Sequence, residues 1–293
     1  MHFGRANRSD AVIANTLNFI VNHPMTREKK LRAFGRLIRW QLASRLRREV
    51  VVPWVEGTRL AVRRGMTGAT GNIYCGLHEF EDMAFLLHFM RPEDAFADIG
   101  ANIGSYTVLA SGVRRARTIA FEPDPVTFAA LERNIALNGL KSLVQSRETA
   151  LGAEQGKVAF TIDLDTMNRV AHDGAGSTRT VSLDTLDHAL SDERPSLIKL
   201  DVEGFESEVI RGATKTLSYP ELKAIIIEDR SPPVRGALRD AGFTEHSYDP
   251  MTRQLQPDRG CGQRPNGLFV RDEKFVQYRL TGATRVRVLD RLL

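Results

Sequence analysis

The chain has 293 residues, 42% hydrophobic and 26% charged, with 23 Gly and 12 Pro. That balance suits one full domain with an appendage and excludes collagen-like, low-complexity and intrinsically disordered chains, while apolar runs as short as Ala84–Phe89 fall far below the roughly 20 residues of a membrane span. The net charge of +5 is polarised, because residues 1–70 hold 14 Lys/Arg against 4 Asp/Glu and the remainder 27 against 32, so the first segment is the one suited to an anionic neighbour.

The N-terminus MHFGRANRSD has no apolar stretch behind its charges, and Cys75 and Cys261 stand apart without a CxxC pair. Both features point to a reduced, cytoplasmic compartment without a thiolate zinc site. Residues 11–22 read as a short apolar helix stopped before Pro24. Thr26 is placed to cap a second helix, along which Leu31, Phe34, Ile38, Leu42 and Leu46 form one apolar stripe among arginines. A stripe at helical spacing is the usual mark of an arm packed on its own domain. The same basic helix, 27–48, also fits peripheral contact with an anionic membrane. Two β-rich runs, Val50–Val55 and Arg59–Arg63, lead to a glycine-rich turn at 65–72.

From residue 79 the rhythm alternates between helix and strand. A helix at 79–90 precedes a strand at Ala95–Ile99, a helix near 105–112, a strand at Thr118–Phe121 and a helix at 125–138. Apolar runs at Leu197–Leu200 and Ala224–Ile227 each end in acids, and 243–248 with 267–271 supply a closing hairpin. Short buried strands alternating with helices predict an α/β fold, a doubly wound and mostly parallel sheet of Rossmann-like type. It carries a small N-terminal helical and β extension. The expected divisions are 1–70, 71–272 and a tail at 273–293.

The sharpest local signal is AFADIGANIGSYTVLAS, 95–111. A strand delivers Asp98, and Gly100 and Gly104 allow a tight turn and close approach of a ligand. Asn102 between them tolerates positive φ. The spacing is GxNxG rather than the dinucleotide GxGxxG, which disfavours a dehydrogenase. An acid two residues before the first glycine repels a pyrophosphate and welcomes an ammonium, as in S-adenosylmethionine, a nucleoside with an amino-acid tail. Glu122 ends the next strand, 22 residues after Gly100, where an acid accepts hydrogen bonds from ribose hydroxyls. Its bland alternative is to cap the following helix.

With these residues in place the chain resembles the FkbM family of class I S-adenosylmethionine-dependent methyltransferases. The resemblance rests on ADIGANIGSYT (97–107), AFEPDPVTFAALERNIALNG (120–139), LIKLDVEGFESEVIRGA (197–213) and IIIE (225–228), and covers roughly 75–272. It implies O-methylation of a sugar, glycan or other hydroxylated metabolite. Carried over by position, Asp98, Gly100, Asn102 and Gly104 hold the methionine moiety and Glu122 the ribose. The stretch Glu148–Ala150 after the next strand lines the adenine pocket, through Glu148, Thr149 or Ala150, and Glu79 or Glu81 reaches toward the amino group.

Methyl transfer to a hydroxyl needs alignment and a proton acceptor. Alternation along LIKLDVEG sends Lys199, Asp201 and Glu203 to one side of the strand end. Asp201 leads as base or hydroxyl anchor and Glu203 is the alternative, with Glu228 further out. A salt bridge to Lys199 or a cap on the helix at 205–212 is the structural role that competes for Asp201. Asp201, Glu203, Glu228 and Asp229 are oxygen ligands of the kind Mg²⁺ uses, but no metal is expected. His172, in the polar loop 167–178, is the histidine most suited to a substrate lid. RNA ribose methylation and a non-catalytic, membrane-recruited scaffold are the rival readings. The acidic body and the missing Asn/Asp-Pro-Pro-aromatic turn after the fourth strand speak against nucleic acid.

Overall fold

A computed structural model of the protein describes residues 14–161, 170, 177–258 and 264–293. His172 and Cys261 lie outside the described residues, as do positions 11–13 of the first expected helix.

In chain order the elements are α1 (14–22), α2 (Lys30–Leu46), the hairpin β1 (Val50–Pro53) and β2 (Arg59–Val62), α3 (Thr67–Cys75), α4 (Phe80–Phe89), β3 (Ala95–Ile99) and α5 (Ser105–Thr107), which runs into a π-helical turn at Val108–Val113. They continue with β4 (Arg117–Phe121), α6 (Pro125–Leu137), β5 (Val144–Arg147), β6 (Ala150–Gly152), β7 (Gly156–Thr161), β8 (Thr178–Thr185), α7 (Leu186–Ala189), β9 (Leu197–Leu200), α8 (Glu206–Arg211) and α9 (Thr214–Ser218). The last are β10 (Ala224–Ile227), α10 (Pro232–Asp240), β11 (Thr244–Asp249), β12 (Gln254–Pro257), β13 (Gly267–Val270), α11 (Glu273–Thr281), β14 (Arg287–Val288) and β15 (Arg291–Leu292).

The central sheet has eight strands in the order β12-β11-β13-β10-β9-β3-β4-β5. β10, β9, β3, β4 and β5 run parallel, and β13 is antiparallel to both β10 and β11. This is the expected doubly wound, Rossmann-like sheet, with its late hairpin partners side by side. Strand alternation sorts the core into two layers. Phe96, Leu197, Ala224 and Ile226 face α4 and α11, whereas Ala97, Ile99, Ile198, Ile225 and Ile227 face α8, α9 and α10. Val276, Leu280 and Leu293 belong to the first layer, so residues 273–293 contribute to the core. Outside the main sheet, β6-β8-β7 forms a small second sheet inserted after β5.

Three local expectations in the first seventy-odd residues fail. Thr26 does not cap α2, which begins at Lys30; its hydroxyl donates instead to the carbonyl of Ile20, near the end of α1. Of the glycine-rich stretch 65–72 only Gly65 lies in a turn, since α3 begins at Thr67. Gly71 serves packing, because a Cβ there would sit 2.0 Å from His78 Nδ1. The largest difference is in α2. Its buried residues are Ala33, Trp40 and Ser44, packed with Val50, Leu60 and Tyr74. Leu31, Ile38, Leu42 and Leu46 of the expected core stripe are instead 88%, 59%, 58% and 86% exposed. Two stripes share the helical period, and the one holding Trp40 faces inward because the indole offers the larger apolar area.

Candidate active site

The site lies along the carboxyl edge of the parallel strands, where backbone hydrogen bonds continue past the strand ends. Gly100 and Ala101 both donate to the carbonyl of Phe121, Asp201 to that of Ile99, and Glu228 to that of Leu200. The loops after β3, β4, β9 and β10 are thereby held level. Gly100, at φ +75°, lets two of them touch, because a Cβ there would lie 1.7 Å from the carbonyl oxygen of Asp201. Asn102 also has positive φ, and Gly104, left-handed too, is the N-cap of α5.

Two cavities meet at this edge. One is lined by Glu122, Asp124, Thr149, Ala150, Leu151, Phe160, Val170, Val202 and Phe205. The other is lined by His78, Glu79, Asp98, Tyr106, Lys199, Glu228 and Asn266. Gly100, Asn102, Asp201 and Glu203 border both. The first has an apolar and aromatic flank at Ala150, Leu151, Phe160 and Phe205, with Glu122 and Asp124 at the strand end, and the second adds the carboxyls of Glu79, Asp98 and Glu228 to the two acids they share.

Glu122 is buried and accepts from the backbone N–H groups of Asn102 and Asp124, each at 2.9 Å. It orders the glycine loop and the entry to α6 at once. The helix cap itself belongs to Asp124, which accepts from Thr127. Burial pushes the Glu122 carboxyl up to about 7, against the pull of those two donors. Asp98 accepts from the Thr107 hydroxyl at 2.5 Å and is pushed up by burial to about 6.

Lys199 is buried, pairs with Asp201 at 2.9 Å and lies 5.3 Å from the centre of the Tyr106 ring. Burial opposes ionisation of Asp201, but the adjacent ammonium outweighs it and holds the carboxyl below its usual range. Glu228 hydrogen-bonds to Asp201 and is pushed up to about 7, first by burial and then by the charges of Asp201 and Glu203. The structural and chemical roles considered for Asp201 are therefore not exclusive, since the lysine pair aims the carboxylate into the cavity. Lys199, Asp201 and Glu203 do share one side, and all three border the acidic cavity.

Glu148 departs from expectation. It lies between β5 and β6 with its side chain exposed and does not line the cavity, whereas Thr149, Ala150 and Leu151 do. A carboxylate is costly to seat against Leu151 and Phe160. Of the two earlier glutamates, Glu79 lines the acidic cavity and Glu81 does not. Glu79 is fixed by Tyr106 Oη at 2.8 Å and Asn266 Nδ2 at 2.7 Å.

Several contributors carried no local signal. Phe160 comes from the inserted sheet, Phe205 from the loop before α8, and Asn266 from the far end of the chain. Buried Glu206 accepts from the N–H groups of Val202 and Gly204 and so fastens the loop bearing Asp201 and Glu203. Nδ1 of His78 is buried without a hydrogen-bond partner beside the acidic cavity. Among the described residues, no group of three or more His, Cys, Asp or Glu is arranged to hold a metal ion.

The sequence pattern of the methyltransferase FkbM domain matches residues 98–264. The hexuronic acid methyltransferase AglP of Haloferax volcanii is 29% identical over 153 residues, which are 51% of this chain and 62% of that protein. The 31-O-demethyl-FK506 methyltransferase FkbM of Streptomyces tacrolimicus is also 29% identical, over 56% of this chain and 79% of that one. The match to AglP thus spans less than two thirds of that relative. A crystal structure of a methyltransferase FkbM from Methylobacillus flagellatus KT superposes with a TM-score of 0.43 at 16% identity, over 69% of this chain and 52% of the other. With the domain pattern running from Asp98 past β12, over more than half of its length, the chain belongs to the FkbM methyltransferase family.

Proposed function

We propose that this protein is an S-adenosylmethionine-dependent O-methyltransferase acting on a hydroxyl of a sugar, glycan or similar metabolite. The observation that carries the reading is the junction of the two cavities at Gly100, Asn102, Asp201 and Glu203. A cleft with Glu122 at the strand end opens there onto a chamber bordered by Glu79, Asp98 and Glu228.

The donor set fits the cofactor. Glu122 offers carboxylate oxygens to ribose hydroxyls, and Ala150, Leu151, Phe160 and Phe205 form an apolar slot for the adenine. The loop from Asp98 to Gly104 takes the amino-acid end, with Asp98 and Glu79 complementary to its ammonium. Bound there, S-adenosylmethionine supplies a methyl group on an electron-poor sulfonium. The protein's tasks are to align the acceptor hydroxyl and to receive its proton. Asp201, aimed by Lys199, accepts a hydrogen bond from that hydroxyl. The proton passes to the hydrogen-bonded pair formed by Asp201 and Glu228, and Glu203 borders the same space. The acidic walls favour an uncharged hydroxyl and disfavour a phosphate-rich polymer. One relative is named for a hexuronic acid, a sugar that bears a carboxyl as well as hydroxyls, and another for a macrolide, and together they support an acceptor oxygen on a sugar or similar metabolite.

The test is transfer of a labelled methyl group to a panel of sugars and hydroxylated metabolites. Asp201→Asn should lower turnover about a hundredfold or more while leaving affinity for S-adenosylmethionine nearly intact. Wild-type turnover in the variant would remove Asp201 from the chemistry.

A further inference from the structure

We infer that the outer face of α2 is a docking surface for an anionic lipid bilayer. Leu31, Ile38, Leu42 and Leu46 recur at spacings of seven and four and, at 58% exposed or more, form a stripe opposite the buried Trp40. Gly35 lies on the same line with open space where its side chain would be. Large aliphatic side chains left in water on one side of a stable helix are a liability unless something covers them.

The charges beside the stripe identify the occupant. Between Lys29 and Arg48 the chain carries eight Lys/Arg and no acid. Lys29 and Arg32 are engaged by Asp290, and Arg36 donates to the carbonyl of Tyr74. Lys30, Arg39, Arg45, Arg47 and Arg48 are exposed and make no ion pair among the described residues. The nearby acids Glu28 and Glu49 are themselves paired, with Arg291 and with Arg63 and Arg133. A second copy seated on this face would bring arginines against arginines. A nucleic acid would match the charge but not a row of aliphatic side chains, and the aromatic residues of the helix point inward or are half-buried. A bilayer with anionic headgroups satisfies both features, taking the leucines at the boundary of its acyl region and the arginines among its phosphates.

The surface is also joined to the site. α2 packs on α3 through Trp40 and Tyr74, and Gly68 and Ala69 of α3 wall the acidic cavity.

The experiment is co-sedimentation of the full chain with vesicles of phosphatidylcholine alone or with about 30% phosphatidylserine. Binding should require the anionic lipid and weaken as salt rises. The double variant Ile38→Asp/Leu42→Asp, at exposed positions, should lower partitioning roughly tenfold or more, with melting temperature checked in parallel. Gly35→Leu should raise partitioning by extending the stripe, a gain that no folding defect mimics. Absence of binding at low salt would overturn the proposal. So would binding indifferent to these variants, a concentration-dependent dimer abolished by the aspartates, or displacement from vesicles by an oligonucleotide with no change in the double variant.

Discussion

At the scale of single residues, the proposed chemistry turns on the pair formed by Asp201 and Glu228. Lys199 holds Asp201 ionised, so alone it would be a weak base at neutral pH. Glu228, pushed up to about 7, brings the pair's proton affinity to where a general base is most effective. The titration belongs to the pair rather than to either carboxyl. The active form lacks the proton, so turnover should rise with pH through about 7 and level off above it. Glu228→Gln leaves Asp201 to titrate alone below its ordinary range, and the rise should move to the acid side. A profile already flat from about pH 5.5 to 8 in the wild type would contradict the shared proton.

At the scale of elements, function depends on loops kept in contact. Gly100→Ala would force a Cβ into the Asp201 carbonyl in a left-handed backbone conformation, separating the β3 and β9 loops. It should cost about 2–4 kcal/mol of stability and weaken nucleoside binding, as thermal unfolding and titration would report. Unchanged stability would mean the two loops part easily. The strands β4, β9 and β10 were legible because each is a short apolar run with an acid just beyond its end, as in Leu197–Leu200 before Asp201, whereas β5, Val144–Arg147, is mostly polar. The same directness placed Asp98, Gly100, Asn102 and Glu122 at the cavities, since their positions follow from local spacing, whereas Gly104 lines neither cavity and serves as the N-cap of α5. The insert β6–β8 was not legible, since β6 is only three residues long and β7 and β8 are half polar and pack into a small cluster of their own. With it went the aromatic wall at Phe160 and the correct neighbour for Glu148. Glu206 was hidden for another reason: its partners, two backbone N–H groups, exist only once the loop has folded. In α2 the periodicity was right and the side was wrong, because period alone does not say which of two stripes a domain will cover.

At the scale of the whole molecule, the sheet gathers at one edge carboxyls that burial makes reluctant to ionise. Glu122 and Glu228 are both pushed up to about 7, and Asp98 to about 6. Crowding acids in this way is tolerable where donors and a cationic ligand are to meet them. Among the described residues, no helix is long and apolar enough to cross a membrane; the lipid contact proposed above rests on the outer face of α2 alone. Calorimetric titration reads directly whether the cleft ending in Glu122 holds S-adenosylmethionine. The wild type should bind S-adenosylmethionine and S-adenosylhomocysteine at micromolar concentrations and NAD not at all, and Glu122→Ala should weaken binding by about 2–3 kcal/mol. No binding of either sulfur nucleoside by the folded protein, or equal affinity in the variant, would contradict it.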